Sequence, residues 1–350
     1  GGWTFGSPSV LMMFYRAPGE LESELAEMDE CMPHYYRVTN RHGQGAETIM
    51  RAEALFYQGH VTDAHIELER AYAQVGGNGQ INMALCCDFL SWRLSLHTDV
   101  ERRYTFSERY AALLCYHDAS WINIWSATSA YYHALRGETD KIPEIFSQHR
   151  LSDIHLLAPG KPMMEMIENQ VYLAQGAYAK VVVRSAELLA ACEAMHYALV
   201  ALHIRIQTAA AYARLGKPET AHTWLQKALS DAGPDGLVMP FAENYSLLKP
   251  LLARETRSAF AARITALGEA AQARGAERLR PAAFRALTAR EFEIVELMVQ
   301  RLSNREIAQK CYLSEGSVKQ YVNQIYSKLH IEGDTRTKRA QLAALLHEKT

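Results

Sequence analysis

The sequence predicts an all-α protein, a helical-repeat superhelix followed by a smaller C-terminal helical domain. Three observations carry this. From Ala46 to Ala232 apolar residues recur at helical spacing, broken by short polar turns. Within that span a glycine-led pattern repeats at nearly constant intervals. From Leu287 onward, two short helical patterns flank a tight polar break, and the charge balance changes sign.

Residues 1–45 hold one helical pattern, from Pro18 to Met32, with Leu21, Leu25 and Met28 on one face. The stretch that follows, Pro33 to Glu47, breaks the period and reads as a packed irregular connection rich in Tyr, Arg and His. The repeat then begins. Gly59, Ala64, Leu68 and Ala71 in the first copy correspond to Gly216, Ala221, Leu225 and Ala228 in the last. Gly137 and Gly176 fall between them, so the intervals are 78, 39 and 40 residues. The first interval is twice the second, which predicts a copy near residue 98 whose turn, in residues 94–102, lacks its glycine. Five helix pairs result. Small residues at fixed places let paired helices approach closely, and each pair buries its apolar face only on its neighbours. The pattern is similar to tetratricopeptide repeats but longer than their period of about 34 residues; a generic antiparallel helix array would have almost the same shape.

After Asp231 the stretch AGPDGLVMPFAENY, rich in Gly and Pro, marks the end of the array. Helices are predicted at Tyr245–Leu252 and Thr256–Gln272, with Arg274–Pro281 as a short basic linker. The two short patterns come next. The first, Asn304–Tyr312, has Ile307, Ala308 and Cys311 on one face. The second starts at Ser314, a good N-cap residue, and places Val318, Val322, Ile325, Tyr326 and Leu329 at helical spacing. Its other face carries Lys319, Gln320, Asn323 and Ser327, and its flank Ser317, Tyr321, Gln324 and Lys328. A last helix follows, capped by Thr335 and lined by Leu342, Leu345 and Leu346.

A helix buried on one side and lined with Lys, Gln and Asn on the other suits the DNA major groove, with the shorter helix bracing it across the backbone. An ordinary amphipathic pair with a solvated polar face has the same spacing. Further residues separate these readings. The stretches Leu287-Thr288-x-Arg290-Glu291, Leu302-Ser303-Asn304-x-Glu306-Ile307-Ala308 and Leu313-Ser314-Glu315-x-Ser317-Val318-Lys319, closed by Ile325 and Lys328-Leu329, resemble the LuxR-type (GerE-type) helix-turn-helix of bacterial transcription regulators. The resemblance implies a four-helix DNA-binding domain. Lys319, Gln320 and Asn323 become base contacts, and Ser303, Arg305, Ser314, Ser317, Tyr321 and Lys328 phosphate contacts. The last helix would support dimer contacts through Leu342 and Leu345, with plain internal packing as the other reading. Three positions depart from the pattern. Arg301 stands where the family usually has Gly, Tyr321 where it often has His, and Cys311 where a larger aliphatic residue is usual. Arg301 predicts a preceding helix that ends without the left-handed cap glycine provides.

A helical array of this period followed by such a domain resembles the MalT-like large regulators. That resemblance implies an upstream ATPase module, a superhelix that senses an inducer, and ATP-linked oligomerisation. No G-x-x-x-x-G-K-[ST] phosphate loop occurs in the chain, so no cofactor is expected here, and ATP enters only through an upstream module. The opening Gly in place of Met reads as the start of a processed or excised piece.

Composition bounds the rest. Over 350 residues the net charge is −2, but residues 284–350 hold 11 Lys+Arg against 8 Asp+Glu, while residues 1–283 hold 26 against 31. A basic tail on an acidic body fits a nucleic-acid-binding module attached to something else. Six irregularly spaced cysteines read as free thiols in a reducing cytoplasm. Cys31-x-x-His34 lacks a second pair at zinc spacing, so no metal is expected. No membrane-length apolar run and no catalytic motif is present, so no enzyme is expected. Trp121 and Trp125, four apart on one helix, could line a ligand groove or pack on the next repeat.

The expected organisation is therefore a sensor or interaction array over 1–235, connecting helices over 236–283 and a DNA-binding domain over 284–350. Double-stranded DNA, a small-molecule inducer or regulatory protein, and self-association on DNA are the expected partners. The alternative is a protein-interaction adaptor whose helix-turn-helix is degenerate.

Overall fold

The computed structural model describes residues 6–76, 80–100, 102–116 and 119–347; among these it contains nineteen α-helices and no strand. Two compact units divide the chain, Gly1–Ala271 and Gln272–Thr350.

In the first unit, a short α1 (Leu11–Phe14) precedes α2 (Leu21–Val38). The latter continues through Pro33, which was expected to end it. Proline removes one ladder donor and crowds the preceding turn. Contacts from beyond the helix offset that cost: the Tyr36 hydroxyl donates to Glu47 and accepts from the Gly45 amide at 3.1 Å, pinning the last turn to the next helix.

Five pairs follow. They are α3 (Ala46–Tyr57) with α4 (Val61–Gly76), α5 (Ile81–Leu94) with α6 (Phe106–Leu113), α7 (Ala119–Leu135) with the single turn α8 (Glu144–Ser147), α9 (Lys161–Ala174) with α10 (Tyr178–Met195), and α11 (Ala198–Arg214) with α12 (Pro218–Ala232). The first helices of successive pairs begin 35 to 42 residues apart, so the helical repeat read from the glycines is present. Gly59, Gly137, Gly176 and Gly216 all sit at left-handed φ between +69° and +83°, immediately after the first helix of their pair. That conformation costs a residue with a Cβ about 1–2 kcal/mol. The turn without a glycine joins α5 to α6; its residue 101 lies outside the described residues.

The two helices of a pair do different work. Helices α5, α9 and α11 are buried around most of their circumference. Helices α4 and α12 bury one stripe each: Ala64, Leu68 and Ala71, and Ala221, Leu225 and Ala228. These are the repeat positions, and the alanines let each outer helix lie close on its partner.

The inner layer curls until its ends meet. Tyr57 on α3 and His203 on α11 are hydrogen bonded at 2.9 Å. The segment after α12 packs back onto this layer. After α12 come α13 (Met239–Glu243), α14 (Tyr245–Leu252) and α15 (Ala259–Arg278). Helix α13 packs on α3 and α11, and its residues are buried. Glu243 takes a bidentate bond from Arg93 on α5, at 2.7 and 3.0 Å, and another from the Tyr131 hydroxyl on α7 at 2.9 Å. Next to it, the Asn244 side chain accepts from Gln170 on α9 at 2.9 Å. Residues 236–244, which read as connection, are therefore the hub of the array. A buried pair of this kind offsets its desolvation only with bidentate geometry and further bonds, and both are present. Burial alone would raise the Glu243 carboxyl; Arg93 outweighs it and holds the group below the usual carboxylate range.

Helix α14 occupies Tyr245–Leu252, as expected; α15 begins three residues later than expected and runs to Arg278, so most of the anticipated linker is helical.

The second unit contains α16 (Ala289–Val299), α17 (Asn304–Cys311), α18 (Glu315–Lys328) and α19 (Thr335–His347), the four helices expected there. Phe284, Leu287, Ile294, Val295, Met298, Ile307, Ala308, Cys311, Val318, Ile325, Tyr326, Ile331 and Leu342 make its core.

Candidate nucleic-acid interface

The C-terminal unit is built from caps. Thr288 and Glu291 form a capping box at the start of α16, and Ser303 and Glu306 another at α17. Ser314 caps α18, accepting from the Ser317 amide at 3.0 Å while the two hydroxyls bond at 2.8 Å. Such caps contribute about 1 kcal/mol each. The cap of α19 is one residue earlier than expected: the Asp334 carboxylate accepts from the Thr337 amide at 2.8 Å, and Thr335 is the first helical residue.

Three helix ends carry a non-glycine residue in the left-handed region: Arg301 after α16, Tyr312 after α17 and His330 after α18, at φ +65°, +56° and +53°. The expectation that Arg301 forces a different ending is corrected here. The Leu302 amide reaches the Leu297 carbonyl and the Arg301 amide the Met298 carbonyl, the bond pair of a left-handed cap. Arginine adopts it because Leu302 must turn back under the domain, where it packs against the core. The tight break between α17 and α18 is made the same way. Leu313 donates to Ala308 at 2.9 Å, and the Tyr312 side chain stands 96% exposed. Nothing in the sequence pattern marked that tyrosine.

This turn sets α18 against α16 and α17. Val318, Ile325 and Tyr326 are buried, and Val322 and Leu329 pack partly against the same core. Lys319, Gln320 and Asn323 stand together on the opposite, exposed face. None has a side-chain partner among the described residues. Exposed Arg305 on α17 is likewise without a side-chain partner there. Ser327 is exposed near the end of α18, and Tyr321 is half-buried on its flank, against the core. The outer face thus presents an ammonium and two carboxamides, donors and acceptors in the combination that base edges require. Arg305 and the hydroxyls of Ser303, Ser314 and Ser317 lie at the helix starts, where amides and cations serve anions.

Besides the cap serines, whose hydroxyls already bond within their own first turns, Lys328 and Leu342 are otherwise engaged. The Lys328 ammonium donates to both oxygens of the Glu291 carboxylate at 2.8 Å. Leu342 has no exposed surface and is spent inside the domain, while Leu345 is half-buried. In the first unit, the Trp125 indole N–H donates to the Phe106 carbonyl at 3.0 Å, and its ring lies 4.8 Å from that of Tyr110. Trp121 is half-buried against the core. Among the described residues no group of His, Cys, Asp or Glu is arranged to hold a metal ion, and no helix is long and apolar enough to cross a membrane. All six cysteines are free; Cys86, Cys87, Cys192 and Cys311 are buried.

Comparison with known proteins agrees with this geometry for the C-terminal unit. Residues 285–340 match the family described as bacterial regulatory proteins, luxR family. Over 50 residues the chain is 44% identical to the transcriptional regulatory protein LnrK of Bacillus subtilis (strain 168), a match spanning 14% of this chain and 23% of that protein. No solved structure matches the chain.

Proposed function

We propose that this chain, whose residues 285–340 form a LuxR-family helix-turn-helix domain, is a DNA-binding transcription regulator that reads promoter DNA with α18 in the major groove. The exposed, unpartnered row Lys319, Gln320 and Asn323, set opposite the buried Val318, Ile325 and Tyr326, carries the reading. Arg305, Ser303, Ser314, Ser317 and Tyr321 surround it as phosphate contacts. Lys328 joins them only by leaving Glu291. Leu345 is the residue of α19 that remains for contact between two copies on DNA. The helical array is the sensing part, taking a small-molecule inducer or a regulatory protein, in the manner of the MalT-like regulators.

Selection from a random double-stranded DNA pool tests the reading. A regulator enriches one half-site, repeated if two copies bind, and its affinity falls steeply with added salt. A chain that enriches nothing is an adaptor.

A further inference from the structure

Among the described residues, the seam between α2 and the end of α10 is not closed. A cavity of about 480 Å³ lies there, within the roughly 300–1,000 Å³ typical of small-molecule sites. Its lining is apolar and soft: Met13 and Phe14 from α1, Met28, Met32 and Tyr35 from one face of α2, and Met195 from the last turn of α10. Met28 and Met32 are buried although a void adjoins them. Methionine has three free rotors and a polarisable sulfur, so such a wall reshapes around a flat apolar body.

The polar lining has one composition of charge. Arg16 donates to Glu24 at 2.6 Å and to Glu27 at 2.5 Å, and all three line the cavity. Arg16 and Glu27 are half-exposed, at 52% and 55%, whereas Glu24 is 5% exposed. The three therefore run from the opening inward. Each carboxylate gives one oxygen to Arg16. The second oxygen of each has no hydrogen-bond partner among the described residues. Two carboxylates against one guanidinium leave a net negative site with acceptors to spare. His196 also lines the cavity; Glu193, Arg205, Lys227 and Asp231 line the adjoining groove, where Arg205 and Lys227 are both paired to Asp231.

We infer that this seam is a binding site for a small apolar monocation, an aromatic or alkyl amine whose body enters among the methionines and whose ammonium takes the spare oxygens of Glu24 and Glu27. The assignment rests on the reading of the array as the sensing part of the chain, and it names where a ligand enters and of what class.

The test uses the full chain and three probes that share one body: 4-phenylbutylamine, 4-phenylbutanol and 4-phenylbutanoate. Isothermal titration is expected to give the amine an affinity at least about tenfold above the other two, a gap of about 1.4 kcal/mol. Glu27→Gln should bring amine and alcohol together. Met28→Trp, which fills the cavity, should abolish binding while the circular dichroism spectrum is kept. Cys31 lines the same cavity and is exposed, so the amine should also slow its modification by a thiol reagent in a Cys115→Ser background, a readout that needs no cavity variant. The inference is overturned if the butanoate binds best, if Glu27→Gln leaves the amine's advantage intact, or if millimolar amine neither releases heat nor protects Cys31. Other metabolites that raise the melting temperature without protecting Cys31 would overturn this site and leave the sensing reading standing. DNA selection is scored separately and does not depend on any of these outcomes.

Discussion

Lys328, the last residue of α18, donates to both carboxylate oxygens of Glu291, and Glu291 is at the same time the third residue of the α16 capping box. One carboxylate thus joins the end of the outward-facing helix to the start of the helix beneath it. Burial alone would raise the Glu291 carboxyl; the bonds from Lys328 and Thr288 outweigh burial and hold it below the usual carboxylate range. Its contribution to stability is therefore present above the unfolded carboxylate pKa and is lost as pH falls through the lower folded value.

Lys328→Met leaves that carboxylate, 4% exposed, with its cap bonds alone. Urea unfolding at pH 7 should show a loss of about 1–2 kcal/mol, allowing for the half-exposed ammonium. The salt dependence of DNA binding should keep its slope. A slope reduced by about one unit, with stability unchanged, would mean that the lysine contacts phosphate instead.

Lys319 has no such tie. Lys319→Ala should leave the unfolding midpoint within about 0.5 kcal/mol of the parent, because the position is a surface one. In competition titrations it should cost about 1–3 kcal/mol on the selected half-site and little on scrambled DNA. Equal losses on both sequences would remove it from the base-reading set.

Arg301 holds a left-handed cap for which its side chain is unsuited. Arg301→Gly removes about 1–2 kcal/mol of strain and adds some entropy to the unfolded chain. The expected net result is stabilisation by about 0.5–1 kcal/mol, read as a higher denaturant midpoint with the slope unchanged. A lower midpoint would show that the arginine stem contributes more than the strain costs.

Glu53, fully buried on α3, accepts from the Leu11 amide at 2.7 Å, and burial pushes its carboxyl up to about 7. The sign is the reverse of that for Glu291. Folded chains hold this proton and unfolded ones release it, so stability falls as pH rises from about 4.5 to about 7. Glu53→Gln keeps the acceptor for Leu11 and removes the ionisation. Thermal melts of the variant should lose that part of the decline and lie above the parent at pH 8. Identical pH profiles would show that the carboxylate ionises in place without penalty.

Gly268 lets α15 lie directly on α14: a Cβ there would fall 2.2 Å from Cγ of Tyr245. Tyr245 is 3% exposed and has no room to retreat. Gly268→Ala would be favourable by about 1 kcal/mol in an isolated helix. In this chain overpacking should reverse the sign, to a loss of about 1–3 kcal/mol. A rise in melting temperature would indicate that α15 can move off α14.

Some features were legible because their causes are local. Gly59, Gly137, Gly176 and Gly216 marked the repeat because a left-handed turn ends each first helix, and the alanines after Gly59 and Gly216 marked close packing. Ser303 and Ser314 announced helix starts through their own amide bonds. The alternation of Val318, Ile325 and Tyr326 with Lys319, Gln320 and Asn323 fixed which side of α18 faces outward. Arg301, judged by side-chain preference alone, was misread. The need to turn Leu302 inward decided its conformation.

The sequence by itself determined an all-α chain, its helical repeat, the four C-terminal helices and the exposed face of α18, because helical period, caps and turns act within a few residues. Only the tertiary structure decided that Lys328 is held by Glu291, that Leu342 is core, and that Glu243 meets Arg93 and Tyr131 at the hub of the array. Those pairings join residues 37, 150 and 112 positions apart, and no periodic pattern encodes them. They follow from how the helices pack, since each buried charge must find its partner wherever the packed helices bring one within reach.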